Sequence, residues 1–448
     1  FFLSRIPRLD PRAPCLLAYR PHRAGQAGDA RFAGSMTTIA RSAMTTLTLK
    51  DLPETALRDQ RVLVRVDYNV PLDDEGRVTD DTRIRATIPT LELLLEKGAR
   101  VILLSHLGRP KGEWNERFSL RPAADRLAEL VDAPVHFVED VVGAEAHAAA
   151  DSLRAGEILL LENVRFLAGE ETNDAEVAEA LAALGDVFVN DAFGAAHRAH
   201  ASTTGVAEVM RQEGRHAVAG LLMERELRFL GQALESPERP FVAIIGGAKI
   251  SGKIDVIENL LPRVDRLLIG GAMANTFFVA LGLEVGGSLI EPDRVELARE
   301  LLERAGEKLV LPVDCVVAGQ AEPGARTWLL DRDNVPPEGK ILDIGPKSVA
   351  TFGEFIGKAG TVLWNGPMGM FEIEEFSRGT EGVARAVADA TGRGVTTIIG
   401  GGDTAAAVES AGVADRMTHV STGGGASLEF LEGRTLPGVA ALERRGGA

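Results

Sequence analysis

Asp67 and Asn69 stand two apart at the end of the apolar run VLVRVDYNVP. Residues i and i+2 of an extended chain share a face, so both can reach one ligand. An Asp/Asn pair also builds turns, and spacing alone leaves both readings open. His106 and Arg109 follow another apolar run, in the Gly/Pro turn SHLGRP. A guanidinium offers a planar fork suited to phosphate or carboxylate, and with Arg109 beside it His106 leans towards ligand binding. Arg83 and Arg85, in TRIRATIPT, point in different directions if helical, so at most one faces a shared site. Arg165 of ENVRF and Arg198 of NDAFGAAHRAHAS each carry little alone. Taken together, Arg83, His106, Arg109, Arg165 and Arg198 make a phosphate pocket; ion pairs between lobes are the competing reading.

A second group is built on glycine. In IIGGAKISGKI, Gly247, Gly252 and Lys253 fit G-x-x-x-x-G-K, but Ile254 stands where a P-loop needs Ser or Thr for Mg²⁺. A standard Walker A is therefore rejected. What remains is a Gly-rich turn opening a helix, with Lys249 and Lys253 expected at i and i+4 on one helical face. IIGGGDTAAA places Gly401, Gly402, Asp403 and Thr404 at a strand-to-helix turn. Asp403 alone reads best as an N-cap. It can also supply the single carboxylate that a phosphate-bound Mg²⁺ needs, waters and phosphates completing the octahedron. WNGPMGMFE carries Glu372, a carboxylate able to accept from ribose hydroxyls.

These residues need elements that end together. From Thr45 onward short Val/Ile/Leu runs alternate with helical stretches. Continuous apolar runs fit parallel strands covered on both faces, and βα alternation predicts an α/β fold of two doubly wound, Rossmann-like parallel sheets. The first set of runs is 61–66, 101–104, 135–138, 158–161 and 186–189; the second is 241–245, 266–269, 308–311, 361–364, 395–399 and 419–421. Ligands bind at the carboxyl ends of such strands. The first half puts charged and amide side chains there, the second half glycines. Between them, 217–234 has helical spacing and reads as a linking helix, with hinges in it and near 421–425. Residues 321–340, rich in Pro, Gly and Asp, read as a loop excursion.

The chain has 448 residues, 45% hydrophobic and 25% charged, with a formal net charge of -16. That charge argues against a broad nucleic-acid footprint and makes clustered cations more informative. No run approaches the roughly 20 apolar residues of a membrane helix, so the chain reads as soluble, without a membrane partner. Two cysteines, Cys15 and Cys315, form no metal spacing and fit a reducing, cytoplasmic compartment. Residues 1–44 differ from the rest: seven Arg, two Asp, no Lys and no Glu. Such a leader fits a transit peptide or upstream sequence with Met36 or Met44 as the start; the second is favoured, because Ser is sparse and no amphipathic period is evident.

RVDYNVP, SHLGRP, ENVRF, DAFGAAHRAHAS, GGAKISGKI, GGAMANTF, WNGPMGMFE, GGGDT and STGGGASLEFLEG occur in one order from about Leu47 to Val439. In this the chain resembles the phosphoglycerate kinases. The resemblance implies a monomeric, hinge-bending enzyme of glycolysis. It implies reversible phosphoryl transfer from 1,3-bisphosphoglycerate to MgADP, giving 3-phosphoglycerate and MgATP. It places the three-carbon acid on Asp67, Asn69, Arg83, His106, Arg109, Arg165 and Arg198. The nucleotide falls on Lys249, Lys253, Glu372, Gly401, Gly402, Asp403 and Thr404, with Asp403 contacting Mg²⁺. Lys249 and Arg83 match the residues that stabilise the phosphoryl group in flight. The implied layout is an acid lobe at 45–222, a nucleotide lobe at 223–434, and a tail at 435–448 returning to the first lobe; the leader at 1–44 is the one departure, which the family does not normally carry.

The accepting carboxylate is already ionised at neutral pH, so no general base is assigned and His106 is cast as a binding residue. A Rossmann dehydrogenase is the first rival, but it needs G-x-G-x-x-G after the first strand, and RVDYNVP has no glycine. A nucleotide-binding regulator is the second, and it leaves the Arg/His set without a use. A protein beginning at Met44 is expected to keep full turnover; a large loss would refute the reading of the leader as upstream sequence.

Overall fold

The computed structural model describes residues 46–444; the leader at 1–44, residue 45 and the last four residues of the tail lie outside them. Two six-stranded parallel sheets make two lobes. The first contains β1 (Arg61–Arg65), β2 (Arg100–Leu104), β3 (Val135–Phe137), β4 (Ile158–Leu160), β5 (Val187–Asn190) and β6 (His216–Ala219), in the order β3-β4-β2-β1-β5-β6. The second contains β7 (Phe241–Ile245), β8 (Arg266–Ile269) and β9 (Leu309–Val310). After a small sheet of β10 (Asp314–Ala318), β11 (Thr327–Asp331) and β12 (Lys340–Ile344), it is completed by β13 (Thr361–Asn365), β14 (Thr396–Gly400) and β15 (His419–Val420). Its order is β15-β14-β13-β7-β8-β9.

Successive residues of a strand face opposite sides, and here both sides are buried. Val62 and Val64 pack with Ile84, Leu91 and Leu94 of the helix Thr82–Glu96, while Leu63 joins the core on the other face. In the second sheet Val242 and Ile244 face one core, and Ala243 and Ile245 the other. That other core is continuous between the lobes, through Met223, Leu227, Leu230 and Leu234 of the helix Leu221–Glu235.

Three expectations are corrected. The linking helix begins at Leu221, not at 217; His216–Ala219 is β6, paired in parallel with β5. An Ala/Val run fits either state, and the open edge of β5 decides it. The stretch 321–340 is not all loop, because β11 pairs antiparallel with β10. Lys249 and Lys253 do not share a helical face: the helix Ile254–Leu260 starts after both, with Lys253 as its N-cap. The last described residues lie on the first lobe. Leu47 N–H donates to Leu442 O at 3.1 Å, and Gly438 N–H to Ala196 O at 2.9 Å. Among the described residues no helix is long and apolar enough to cross a membrane.

Candidate functional site

Parallel strands deliver their carboxyl ends to one edge of each sheet. On the first lobe that edge carries Arg65 at the end of β1 and Asp67 after it, His106 after β2, Asn163 after β4 and Asp191 after β5. The Arg83 guanidinium reaches down from the first turn of its helix. Its Nη1 donates to Asp67 Oδ2 at 3.0 Å and to Asn69 O at 3.3 Å. Asn69 Oδ1 accepts from Gly108 N–H at 2.9 Å, and Arg165 Nη1 donates to Gly108 O at 2.7 Å. Gly108 is at φ +60°, and a Cβ there would stand 2.4 Å from the Phe118 ring. Only glycine lets the SHLGRP turn lie this close.

Asp67, Asn69, Arg83, His106 and Arg165 are thus brought together. Arg85 turns away to Asp81 at 2.8 Å. Arg109 is exposed, near enough to weaken the charge on Arg165, which burial already disfavours. Arg198 is 63% exposed, and its Nη2 lies 3.8 Å from Glu429 Oε1 of the second lobe. Here the competing interlobe ion pair is what the structure contains. His106 is buried, and burial together with Arg65, Arg165, Arg83 and His200 holds it well below the usual imidazole range. It is a neutral ring at pH 7.

Beneath this cluster is a layer that sequence reasoning missed. Arg65 is fully buried; its Nε donates to Ser202 Oγ at 2.8 Å and its Nη2 lies 3.1 Å from His106 Nδ1. Ser202 N–H and Oγ–H donate to Glu170 at 2.9 and 2.6 Å. The signal was available: an arginine at the inward end of an apolar strand must find acceptors.

On the second lobe the strand ends are glycines for a steric reason. A Cβ on Gly366 would lie 2.2 Å from Gly246 O, so the NGPMG turn can pack on β7 only without side chains. Gly401, at φ +88°, caps the helix Gly402–Ser410, whose first turn holds Asp403 and Thr404. Thr404 Oγ1 accepts from Gly366 N–H at 2.6 Å. Lys253 Nζ donates to Asn365 Oδ1. Burial weakens the charge on Lys253, while Asp403 and Glu432 favour it. Asn365 Nδ2 is buried without a partner, 3.2 Å from where a Cβ on Gly401 would stand. A buried amide donor facing bare backbone needs an acceptor. Asp403, in the first turn of that helix, is exposed, as are Lys249 in the loop after β7 and Glu372 in the loop after β13.

Arg83, Thr82 and Arg225 face Gly402, Thr422 and Gly424 across one cleft of about 750 Å³ between the lobes. A neighbouring hollow of about 960 Å³ is larger. Its three arginines are already paired, Arg85 and Arg126 with Asp81, Arg126 with Glu129, and Arg77 with Glu75, and the other charges that line it, Asp80, Asp125 and Glu409, are carboxylates that offer an anionic substrate nothing.

Comparison with known proteins agrees with this arrangement. The family model for phosphoglycerate kinase matches residues 50–434. The phosphoglycerate kinase of Chloroflexus aurantiacus is 57% identical over 389 residues, 86% of this chain and 96% of that one. That of Synechococcus elongatus is 55% identical over 403 residues, 89% of this chain and 99% of that one. The solved phosphoglycerate kinase of Coxiella burnetii superposes with a TM-score of 0.78 at 42% identity, covering 89% of this chain and 98% of its own. The chain belongs to the phosphoglycerate kinase family and is a carboxyl-acceptor phosphotransferase of glycolysis.

Proposed function

We propose that phosphoryl transfer between 1,3-bisphosphoglycerate and MgADP runs in line across this cleft, after the lobes close. The observation that carries it is the placement of Arg83 and the GGGDT corner on opposite walls of one hollow. The three-carbon acid is held on the first lobe by Asp67, Asn69, Arg83, His106, Arg109, Arg165 and Arg198. Asp67 accepts from Arg83 and so aims it. His106, being neutral, binds rather than moving a proton. The nucleotide is held on the second lobe by Lys249, Lys253, Glu372, Gly401, Gly402, Asp403 and Thr404. The lobes correspond to residues 45–222 and 223–434, with 435–448 bound back to the first. We read the protein as a cytoplasmic monomer.

Mg²⁺ fits the nucleotide corner. Among the described residues no three His, Cys, Asp or Glu gather for a metal, whereas Asp403 stands exposed beside the orphaned Asn365 amide and bare glycine backbone. One carboxylate plus phosphate oxygens is what Mg²⁺ bound to a nucleotide uses. When bound, the ion offsets charge on the phosphate oxygens. The chain's own contribution is alignment and charge: Lys249 and Arg83 face the equatorial oxygens of the phosphoryl group, and closure brings the reacting atoms to about 3–3.5 Å and excludes water. Without that exclusion the acyl phosphate would hydrolyse.

Arg198 provides a test. Exposed, and held among the described residues by no side-chain contact beyond a 3.8 Å pair to Glu429, it has little structural work to lose. Arg198→Ala is expected to weaken 3-phosphoglycerate binding about tenfold by calorimetry, roughly 1.4 kcal/mol, and to leave MgADP affinity unchanged. Unaltered affinity for the acid would remove Arg198 from the site.

A further inference from the structure

We infer that Arg65 is a positioning residue: its guanidinium holds His106 as the imidazole protonated on Nε2, so that the ring presents an N–H donor to the three-carbon acid. The inference rests on the placement of that acid beside His106.

The geometry leaves one tautomer. A guanidinium has only donors, so an Arg65 Nη2 at 3.1 Å from His106 Nδ1 requires Nδ1 to accept. The proton of the neutral ring is then on Nε2. Among the described residues the one carboxylate within 4 Å of Nδ1 is Asp67, whose Oδ1 is 3.9 Å away, too far to take a hydrogen bond. Asp67 is also engaged, with Oδ2 accepting from Arg83 and Oδ1 from Asn69 N–H. Arg65 itself has no freedom to turn. Its Nε is fixed by Ser202 Oγ, which Glu170 fixes in turn, and its Nη1 donates to Val66 O. Nε2 has no protein partner among the described residues and is not one of the buried orphaned atoms. It is the ring nitrogen that keeps access to solvent.

The tautomer matters because the ligand is an anion. An Nε2–H ring offers a donor to an oxygen of the acid. The reverse tautomer would offer a lone pair, and the contact would become repulsive. Arg65 touches no substrate in this scheme; it acts through His106.

The test begins on the unaltered full chain without ligands. Long-range ¹H–¹⁵N spectra of histidine-labelled protein separate the ring nitrogens of the eight histidines, and the His106→Gln spectrum assigns the signal of interest. We expect Nδ1 unprotonated and Nε2 protonated at neutral pH; a proton on Nδ1 overturns the inference. The second arm pairs Arg65→Met with Glu170→Gln, so that no unmatched buried charge remains. KM for 3-phosphoglycerate should rise about tenfold, kcat should change less than about threefold, KM for MgATP should stay put, and the His106 signal should lose its Nε2–H preference. A ring that keeps its tautomer while both KM values move together shows packing alone and overturns the assignment. Should the ring be protonated on Nε2 while His106→Ala leaves the KM for the acid unchanged, the placement of the acid fails, and with it the binding role of Arg65. If the double variant does not fold, the spectrum of the unaltered chain still decides the tautomer.

Discussion

Lys249→Ala is expected to lower kcat about a hundred- to a thousandfold while leaving 3-phosphoglycerate affinity within about twofold by calorimetry. The magnitude is that of removing one preorganised donor from a developing charge, roughly 3–4 kcal/mol. The structure makes the test clean. Lys249 is exposed in the loop after β7, with no hydrogen bond or ion pair among the described residues. Its field reaches Glu291, whose carboxyl is held below the usual range chiefly by Ser251 and Ile250 hydrogen bonds against burial, with Lys249 adding a minor share. Loss of the ammonium therefore breaks no packing, and stability should stay within about 0.5 kcal/mol. A large loss of turnover at unchanged stability would then report on the ligand and not on the fold. Turnover within a few-fold of the unaltered protein would show that the charge on the phosphoryl group is met elsewhere.

How far the sequence reaches is clearest where it failed. The strands of both large sheets were readable, because a parallel strand buried on both faces has to be a continuous apolar run, as β7 is from Phe241 to Ile245. β6 was not, because His216–Ala219 has the composition of a helix and becomes a strand only by pairing with β5. β11 was hidden for the opposite reason: Trp328 and Leu329 are exposed, so TWLLD carries no burial pattern at all. The site divides the same way. Asp67, Asn69, His106 and Arg165 could be named from residue types at strand ends, Arg83 only as one of two arginines on a helix, and they do meet. Their support could not. Arg65 sits in the same RVD as Asp67, but that it lies beneath the hollow is set by the partners it meets. Glu170 and Ser202, which hold it, lie more than a hundred residues further on. Lys249 and Lys253 were placed on a helix by their spacing, yet the helix start depends on where the chain leaves β7, which no local signal marks.

The link between the lobes gives the second large effect. Glu226 is wholly buried on the helix Leu221–Glu235, and its carboxylate serves the second lobe at three points. Oε1 accepts from Thr422 N–H at 2.8 Å and from the Thr422 hydroxyl at 3.2 Å; Oε2 lies 2.8 Å from His419 Nε2. At its other end the same helix is held by the first lobe, Met223 N–H donating to Asp191 Oδ1 at 3.1 Å and Leu221 N–H to Thr90 Oγ1 at 3.0 Å. Glu226→Ala leaves a half-buried N–H and hydroxyl and a buried imidazole without their acceptor. The expected loss is about 3 kcal/mol or more, since each stranded polar group keeps its desolvation cost. A two-lobed chain does not unfold in two states, so the readout must belong to one lobe. Trp364, wholly buried on β13, supplies it: its emission should shift at a clearly lower urea concentration in Glu226→Ala. Glu226→Gln, which keeps one acceptor oxygen, should lose less than half as much. Because Thr422 also lines the interlobe cleft, the alanine variant should lower kcat even in urea-free buffer, where both lobes are folded. A protein that lost stability yet turned over at the original rate would show that this carboxylate braces the second lobe without setting how the two lobes meet.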